Sequence, residues 1–260
     1  MNPFGTRTAY NDNILDRFCI NIFCQKIAAK LGGGKAGFVP ESPTFDDDVV
    51  RLSQEIMRGR SSKDQRELIR EILLSFLPRG IPQLFKLVFP PSKFSAEFNA
   101  LIASVACKWL VGDMEIQEAD VQVSPTEFRT QSSVVHIKKC RYLEASGCVG
   151  MCVNMCKMPT QSFFTNEMGL PLTMNPNFET LSCDMIFGQT PVPLSQDAVY
   201  TQPCFPVHCS VASAEASRPC PKMDSDRPSS HVSPRATAAA AAMAALAAES
   251  AAGLGAGGMV

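Results

Sequence analysis

The chain is sparing with the residues that usually announce a site: one tryptophan, three tyrosines and three histidines in 260 residues. It has no C-x2-C pair anywhere, and so lacks both the close thiol pairs typical of structural zinc sites and the ordinary ferredoxin spacings. An excess of charge of one sign is also missing. Lys plus Arg number 24 against 25 Asp plus Glu, for a net charge of −1. The pI is about 6.3, which leaves no overall electrostatic footprint for nucleic acid or an anionic membrane surface. No stretch of about 18 strongly apolar residues is present, so a membrane-spanning helix is not indicated. The alanine run at 236–252 comes nearest, but alanine is too weakly apolar to insert. No basic start followed by a continuous apolar run marks a secretory leader.

Against these gaps stand 11 cysteines, an odd number. Without a leader, disulfides are a poor explanation for them, and the count points to a reducing compartment with metal or thiol chemistry. With 45% hydrophobic and 19% charged residues, most of the chain reads as globular, long enough for one sizeable core with appendages. The expected fold class is mainly α within α+β: a helical part at 1–122, a small short-stranded cysteine-rich part at 123–189 that binds metal, and a disordered Pro/Ser-rich then Ala-rich tail at 190–260.

Helical periodicity is clear early on. Ile14, Leu15, Phe18, Ile22, Phe23 and Ile27 share a face that closes at Gly32-Gly33-Gly34, a C-cap and linker rather than a phosphate loop, since it follows a helix and lacks the Walker pattern. Cys19 and Cys24, five apart on this helix, suit core packing better than a shared ligand. Thr44 opens a second helix with Asp46, Asp47 and Asp48 in its first turn, where negative charge favours the N-terminus. Ser62 with Gln65 reads as a capping box for a third. A short helix over Leu84 to Phe89 stops at Pro90-Pro91. Phe94, Phe98, Leu101, Ile102, Val105 and Trp109 form the strongest apolar stripe, expected to be mostly buried. Alternation around Met114 and Ile116, and again from Ser133 to Lys138, predicts one or two short strands.

The chemistry concentrates between His136 and Cys183. Cys148, Cys152 and Cys156 are spaced four apart, about 40° past a turn at each step on a helix, so they share one face. Cys140 lies eight residues before the first and Cys183 follows later. Gly147 and Gly150 predict a turn, then a short helix from about Val149 to Lys157. Clustered thiolates are soft ligands suited to zinc or an iron–sulfur cluster, with His136 as a further candidate ligand. Beyond Gln189 prolines and serines punctuate a segment without periodicity, and its Cys204, Cys209 and Cys220 beside His208 have no framework to hold a ligand.

The block from about Val135 to Gln189, with C-x3-C-x3-C-K-M-P-T-Q-S-F-F and G-L-P-L-T-M-N-P-N-F-E, resembles the plastid iron-containing β-carotene isomerases that open strigolactone biosynthesis. A looser similarity reaches back to Tyr10. The resemblance implies a plastid enzyme interconverting all-trans and 9-cis β-carotene, with a carotenoid as its partner, transient membrane contact, no nucleic acid and an electron partner that is unknown. The Ser- and Arg-rich transit peptide of the family's plant members is not evident in the nine or so residues ahead of Tyr10.

A carotene is hydrocarbon only, so oxyanion holes and acid/base pairs have nothing to act on. Rotation about one of its double bonds needs a temporary loss of bond order, through one-electron exchange with a thiolate-held iron centre or addition of a thiyl radical. The expected ligands are Cys148, Cys152 and Cys156 with Cys183 or Cys140, and His136 as a substitute. The cofactor is iron, as an iron–sulfur cluster. Met155, Phe163, Phe164, Met168 and Phe187 are the candidates for an apolar substrate groove, and no catalytic side chain is assigned. Two other readings remain: an iron–sulfur electron-transfer or sensor protein, and a structural zinc-binding interaction module.

Overall fold

A computed structural model of the chain describes residues 4–32, 37–205 and 208. All fall within one compact unit, Met1–Asp226. Most of the expected tail, including its alanine run and Cys209 and Cys220, lies outside the described residues.

Helix α1 (Ile14–Lys30) begins where Asn13 accepts from the amides of Leu15 and Asp16 while Asp16 reaches back to the Asn13 amide, a reciprocal cap. Thr44 caps a π turn over Phe45–Val49 that runs into α2 (Val50–Met57), and the three aspartates occupy that first turn as expected. Helix α3 (Ser62–Ser75) is capped by Ser61, one residue before the expected position. Gln65 cannot turn back to cap it, because its buried amide donates to the Arg60 carbonyl and accepts from Asn154. Ile20, Ile27, Leu52, Ile56 and Ile72 of these three helices are fully buried and form one side of the core.

Helices α4 (Ile81–Val88) and α5 (Lys93–Ala106) follow, then the single turn α6 (Lys108–Val111). Here the structure reverses an expectation. The large residues of the α5 stripe face outward, Phe94 being 67% and Val105 73% exposed, while Ser95, Ala96, Asn99, Ala100 and Ala103 are the buried face. Periodicity fixes that a helix is two-faced without fixing which face goes in. Here the small residues let α5 approach the sheet closely: a methyl group at Gly188 would meet the Ala96 side chain.

Two eleven-residue strands, β1 (Met114–Ser124) and β2 (Glu127–Ile137), make a hairpin longer than the short strands expected. Helix α7 (Arg141–Ser146) ends at Gly147, whose φ of 53° and the nearby His208 backbone leave no room for a side chain. Helix α8 (Val149–Met151) passes through a π turn over Cys152–Lys157 into α9 (Met158–Ser162) and a second π turn over Phe163–Glu167. Strands β3 (Leu172–Pro176) and β4 (Cys183–Phe187), neither of which periodicity predicted, complete an antiparallel sheet in the order β1-β2-β4-β3. The Pro-rich segment placed in the tail from residue 190 packs onto the core as far as Cys204: Val199, Tyr200 and Cys204 are buried beside short 3-10 turns at Leu194–Gln196 and Ala198–Thr201. The local sequence is tail-like, but an ion pair described below fastens it.

Candidate functional site

Three separate pieces of chain meet between the sheet and the α8–α9 segment. Cys140 caps α7, its sulfur lying 3.5 Å from the Leu143 amide that donates to it. Cys152 and Cys156 sit on the π turn, where the wider i→i+5 winding keeps residues four apart close to one face. Cys183 opens β4, paired with Ile137 on one side and Pro176 on the other. The four cysteines, with Val111, Ile137, Tyr142, Leu143, Lys157, Met174 and Pro176, line a cavity of about 10 Å³.

The four thiols feel one another. Burial, then Cys156, Cys140 and Cys183, pushes the Cys152 thiol well above its ordinary range. Burial, then Cys140 and Cys156, does the same to Cys183. Cys156 is raised by burial, then by Cys140 and Cys107, and burial lifts Cys140 to about 11. Each ionised neighbour would make the next harder to ionise, so without a bound metal these thiols stay neutral at neutral pH. Lys157 opposes this at Cys152 and Cys183. Its side chain is 2% exposed, donates to the Met174 carbonyl at 2.6 Å, and pairs with Asp197 at 2.5 Å.

A second apolar cavity, of about 50 Å³, shares Tyr142 and Cys156 with the first. Phe23, Ile27, Ile69, Leu73 and Met155 supply most of its wall, from α1, α3 and the π turn. The Tyr142 hydroxyl donates to Ser53 Oγ at 3.0 Å and lies 3.5 Å from the Met155 sulfur, fixing the ring between the two cavities.

Of the residues expected at the site, Cys140, Cys152, Cys156 and Cys183 come together. Cys148 is buried but does not line the cavity. It precedes α8 with extended backbone, φ −131°, and so falls off the helical face that its spacing implied. His136 neighbours Ile137, which faces the cavity, so it points to the opposite face of the sheet. There its Nδ1 lies 2.6 Å from Asp184 Oδ1. Met155 lines the second cavity. Phe163, Phe164 and Phe187 form an edge-to-face series with centroids 5.4 and 5.2 Å apart, and with buried Met168 they stand away from the thiol wall. Sequence reasoning passed over Lys157 and Tyr142. The signal was a lysine next to Cys156 in an otherwise apolar run.

Among the described residues no group of three or more His, Cys, Asp or Glu side chains is set to close on one metal ion. The thiols therefore surround a space rather than a point. Chemically the set is all sulfur, with no carboxylate oxygen on the cavity wall, which suits a soft or borderline metal such as iron or zinc and not magnesium or calcium. At about 10 Å³ the cavity takes one water-sized guest, and anything larger needs the walls to part.

A small α+β fold with three buried cysteines and one half-buried one around a single apolar cavity defines a protein with a cysteine-lined candidate site. Comparison with known proteins narrows this. Residues 109–196 match the family described as β-carotene isomerase D27-like, C-terminal. The chain is 39% identical over 201 residues to the chloroplastic β-carotene isomerase D27 of Arabidopsis thaliana, covering 77% of this chain and 74% of that one. It is 35% identical over 198 residues to the chloroplastic β-carotene isomerase D27 of Medicago truncatula, covering 75% and 73%. No solved structure matches. The chain belongs to the β-carotene isomerase D27-like family, and by that membership is an isomerase of the plastid.

Proposed function

We propose that this chain interconverts all-trans and 9-cis β-carotene and that Cys140, Cys152, Cys156 and Cys183 hold iron as a sulfide-bridged cluster, for which the walls of the cavity have to part. The observation that carries the reading is that these four cysteines line one apolar cavity in a protein of this family. Bound there, the iron would supply one-electron exchange with a polyene that offers no carbonyl and no acidic proton.

The chain's own residues prepare that chemistry. Ile137, Leu143 and Met174 keep water from the sulfurs. Lys157 places a positive charge beside them, offsetting part of the negative charge that ligation concentrates there. Tyr142 and Cys156 form the partition between the thiols and the second cavity, the natural berth for a segment of the polyene because its walls are mostly aliphatic, aromatic and thioether, with Ser53 and Thr160 as the hydroxyl exceptions. That cavity is far smaller than a carotene, so α1 and α3 give way on binding.

The test combines anaerobic purification, iron and sulfide analysis, and electron paramagnetic resonance with incubation on detergent-dispersed all-trans-β-carotene and chromatographic separation of the isomers. The reading expects iron with acid-labile sulfide, a change in isomer ratio, and loss of both in a Cys152→Ala, Cys156→Ala double variant. Full iron loading in that variant would overturn the ligand assignment. A colourless preparation holding zinc alone would favour the interaction-module reading, and a reversible redox signal with an unchanged isomer ratio would favour electron transfer.

A further inference from the structure

Helix α4 has no buried residue, yet Leu84, Leu87 and Val88 on it are exposed, Leu87 at 80%. Helix α5 presents Phe94, Leu101, Ile102 and Val105 outward while its small residues face the core. A ladder of rings joins the two helices: Phe89 stacks on Phe85 at 4.9 Å and on Phe98 at 5.1 Å, the latter pair within 6° of parallel. The apolar surface is therefore a fixed feature of two braced helices, larger than the scattered exposed residues of an ordinary soluble surface.

We propose that the α4–α5 surface docks on an anionic lipid bilayer. Three things select lipid over a protein partner. First, the large side chains of both helices face outward while α5 lies on the sheet by its small residues, a form that enters an acyl-chain boundary rather than receiving a complementary segment. Second, the charge is complementary. Although the whole chain is at net −1, residues 79–106 carry Arg79, Lys86 and Lys93 against the single carboxylate Glu97. All three basic residues are exposed; Lys86 also donates to the Asn166 carbonyl at 2.7 Å, and Lys93 to the Thr130 carbonyl at 3.1 Å while lying 3.7 Å from Glu97. Third, and resting on the function proposed above, the substrate partitions into hydrocarbon and has to be collected there. Among the described residues no helix is long and apolar enough to span a membrane, so the contact is with its surface.

The test is sedimentation of the full chain with vesicles of equal parts phosphatidylcholine and phosphatidylglycerol, without carotene, beside vesicles of phosphatidylcholine alone. The wild-type chain is expected to sediment with the anionic vesicles. A Leu87→Glu, Val105→Glu double variant, altered only at exposed positions, should keep its circular dichroism and lose at least about tenfold in vesicle affinity. Phe128→Glu, an exposed apolar position on the β1–β2 hairpin, should bind as wild type. Wild type that stays in the supernatant, or a double variant that sediments equally, overturns the proposal. So does a wild-type dimer that the double variant breaks without any vesicle binding, since the face would then belong to a second copy. Because no carotene is present, vesicle binding stands or falls apart from the isomerase reading. If both hold, the double variant converts detergent-dispersed carotene normally and carotene in vesicles poorly.

Discussion

Truncating Asp197 should unfold the protein more readily than truncating Lys157, although the two form one ion pair. The Lys157 ammonium is buried with its side chain 2% exposed, and Asp197 sits at the edge with its side chain 9% exposed. Asp197→Ala leaves a charged ammonium with the Met174 carbonyl as its remaining partner among these contacts, out of reach of bulk water. Removing one member of such a pair costs about 3–5 kcal/mol, mainly as the desolvation of the charge left behind. Lys157→Met removes the ammonium instead and leaves a carboxylate at the edge that keeps the Val199 amide as a partner, at about 1–2 kcal/mol. The double variant Lys157→Met, Asp197→Ala should lie close to Lys157→Met alone, so the cycle is strongly non-additive. Urea unfolding of the reduced, metal-free protein measures all four states, and Asp197→Ala should also lower Tm by roughly 10 °C for a domain of this size. An Asp197→Ala cost below about 1 kcal/mol, the range of an exposed pair, would refute the reasoning and free the segment after Gln189 from the core.

Alkali should weaken the metal-free protein in a defined window. Burial raises Cys140 and Cys107 from 9.0 to about 11, so the unfolded chain releases these protons first. Their contribution is complete below pH about 9 and is lost as pH rises toward about 11, on the order of 2–3 kcal/mol per thiol. A urea midpoint unchanged from neutral pH to about pH 10.5 would contradict this. Arg141→Lys should cost about 2–3 kcal/mol in thermal melts, because a lysine cannot reproduce the two-pronged contact with Asp12, at 2.5 and 2.8 Å, or the stacking over Tyr10 and Phe45. Leu73→Trp, which fills the second cavity, should cut carotene turnover about tenfold or more while the iron content per chain is unchanged; unaltered turnover would remove that cavity as the substrate's berth.

The helices were legible because their signals are local: Asn13, Thr44 and the Pro90-Pro91 break act within a turn of where they stand. The direction of α5 was not. Its inward face is made of alanine, serine and asparagine, which carry little hydrophobic signal, and only the sheet it packs on decides that closeness outweighs burial of large side chains there. β4 was invisible for a different reason. Cys183, Met185 and Phe187 face in, but Ile186 interrupts the polar alternation on the other face, so five residues gave no clear period. At the site, Cys152 and Cys156 share the π turn as their spacing implied, and Cys148 lies off it because the helix starts one residue later. The π turn and the burial of Lys157 follow from packing that no short window contains.

What holds the cavity together is sheet register. Side chains on β4 alternate, so a slip of one residue would replace Cys183, Met185 and Phe187 with Asp184 and Ile186 and turn the sulfur away from Cys140. Two features oppose the slip. Ile137 and Pro176 flank Cys183 at the ends of their strands, and proline lacks the amide that would extend the ladder further. The loop before Cys183 is also tied: Leu181 holds a φ of 62°, costly for a branched side chain, and its carbonyl accepts from the Cys140 amide at 2.7 Å. Strain tolerated at that point fixes the relation between the two sulfurs furthest apart in sequence. The placing of Cys183 beside Cys140 therefore depends on backbone contacts made by Leu181 and Pro176, neither of which carries any chemistry of its own.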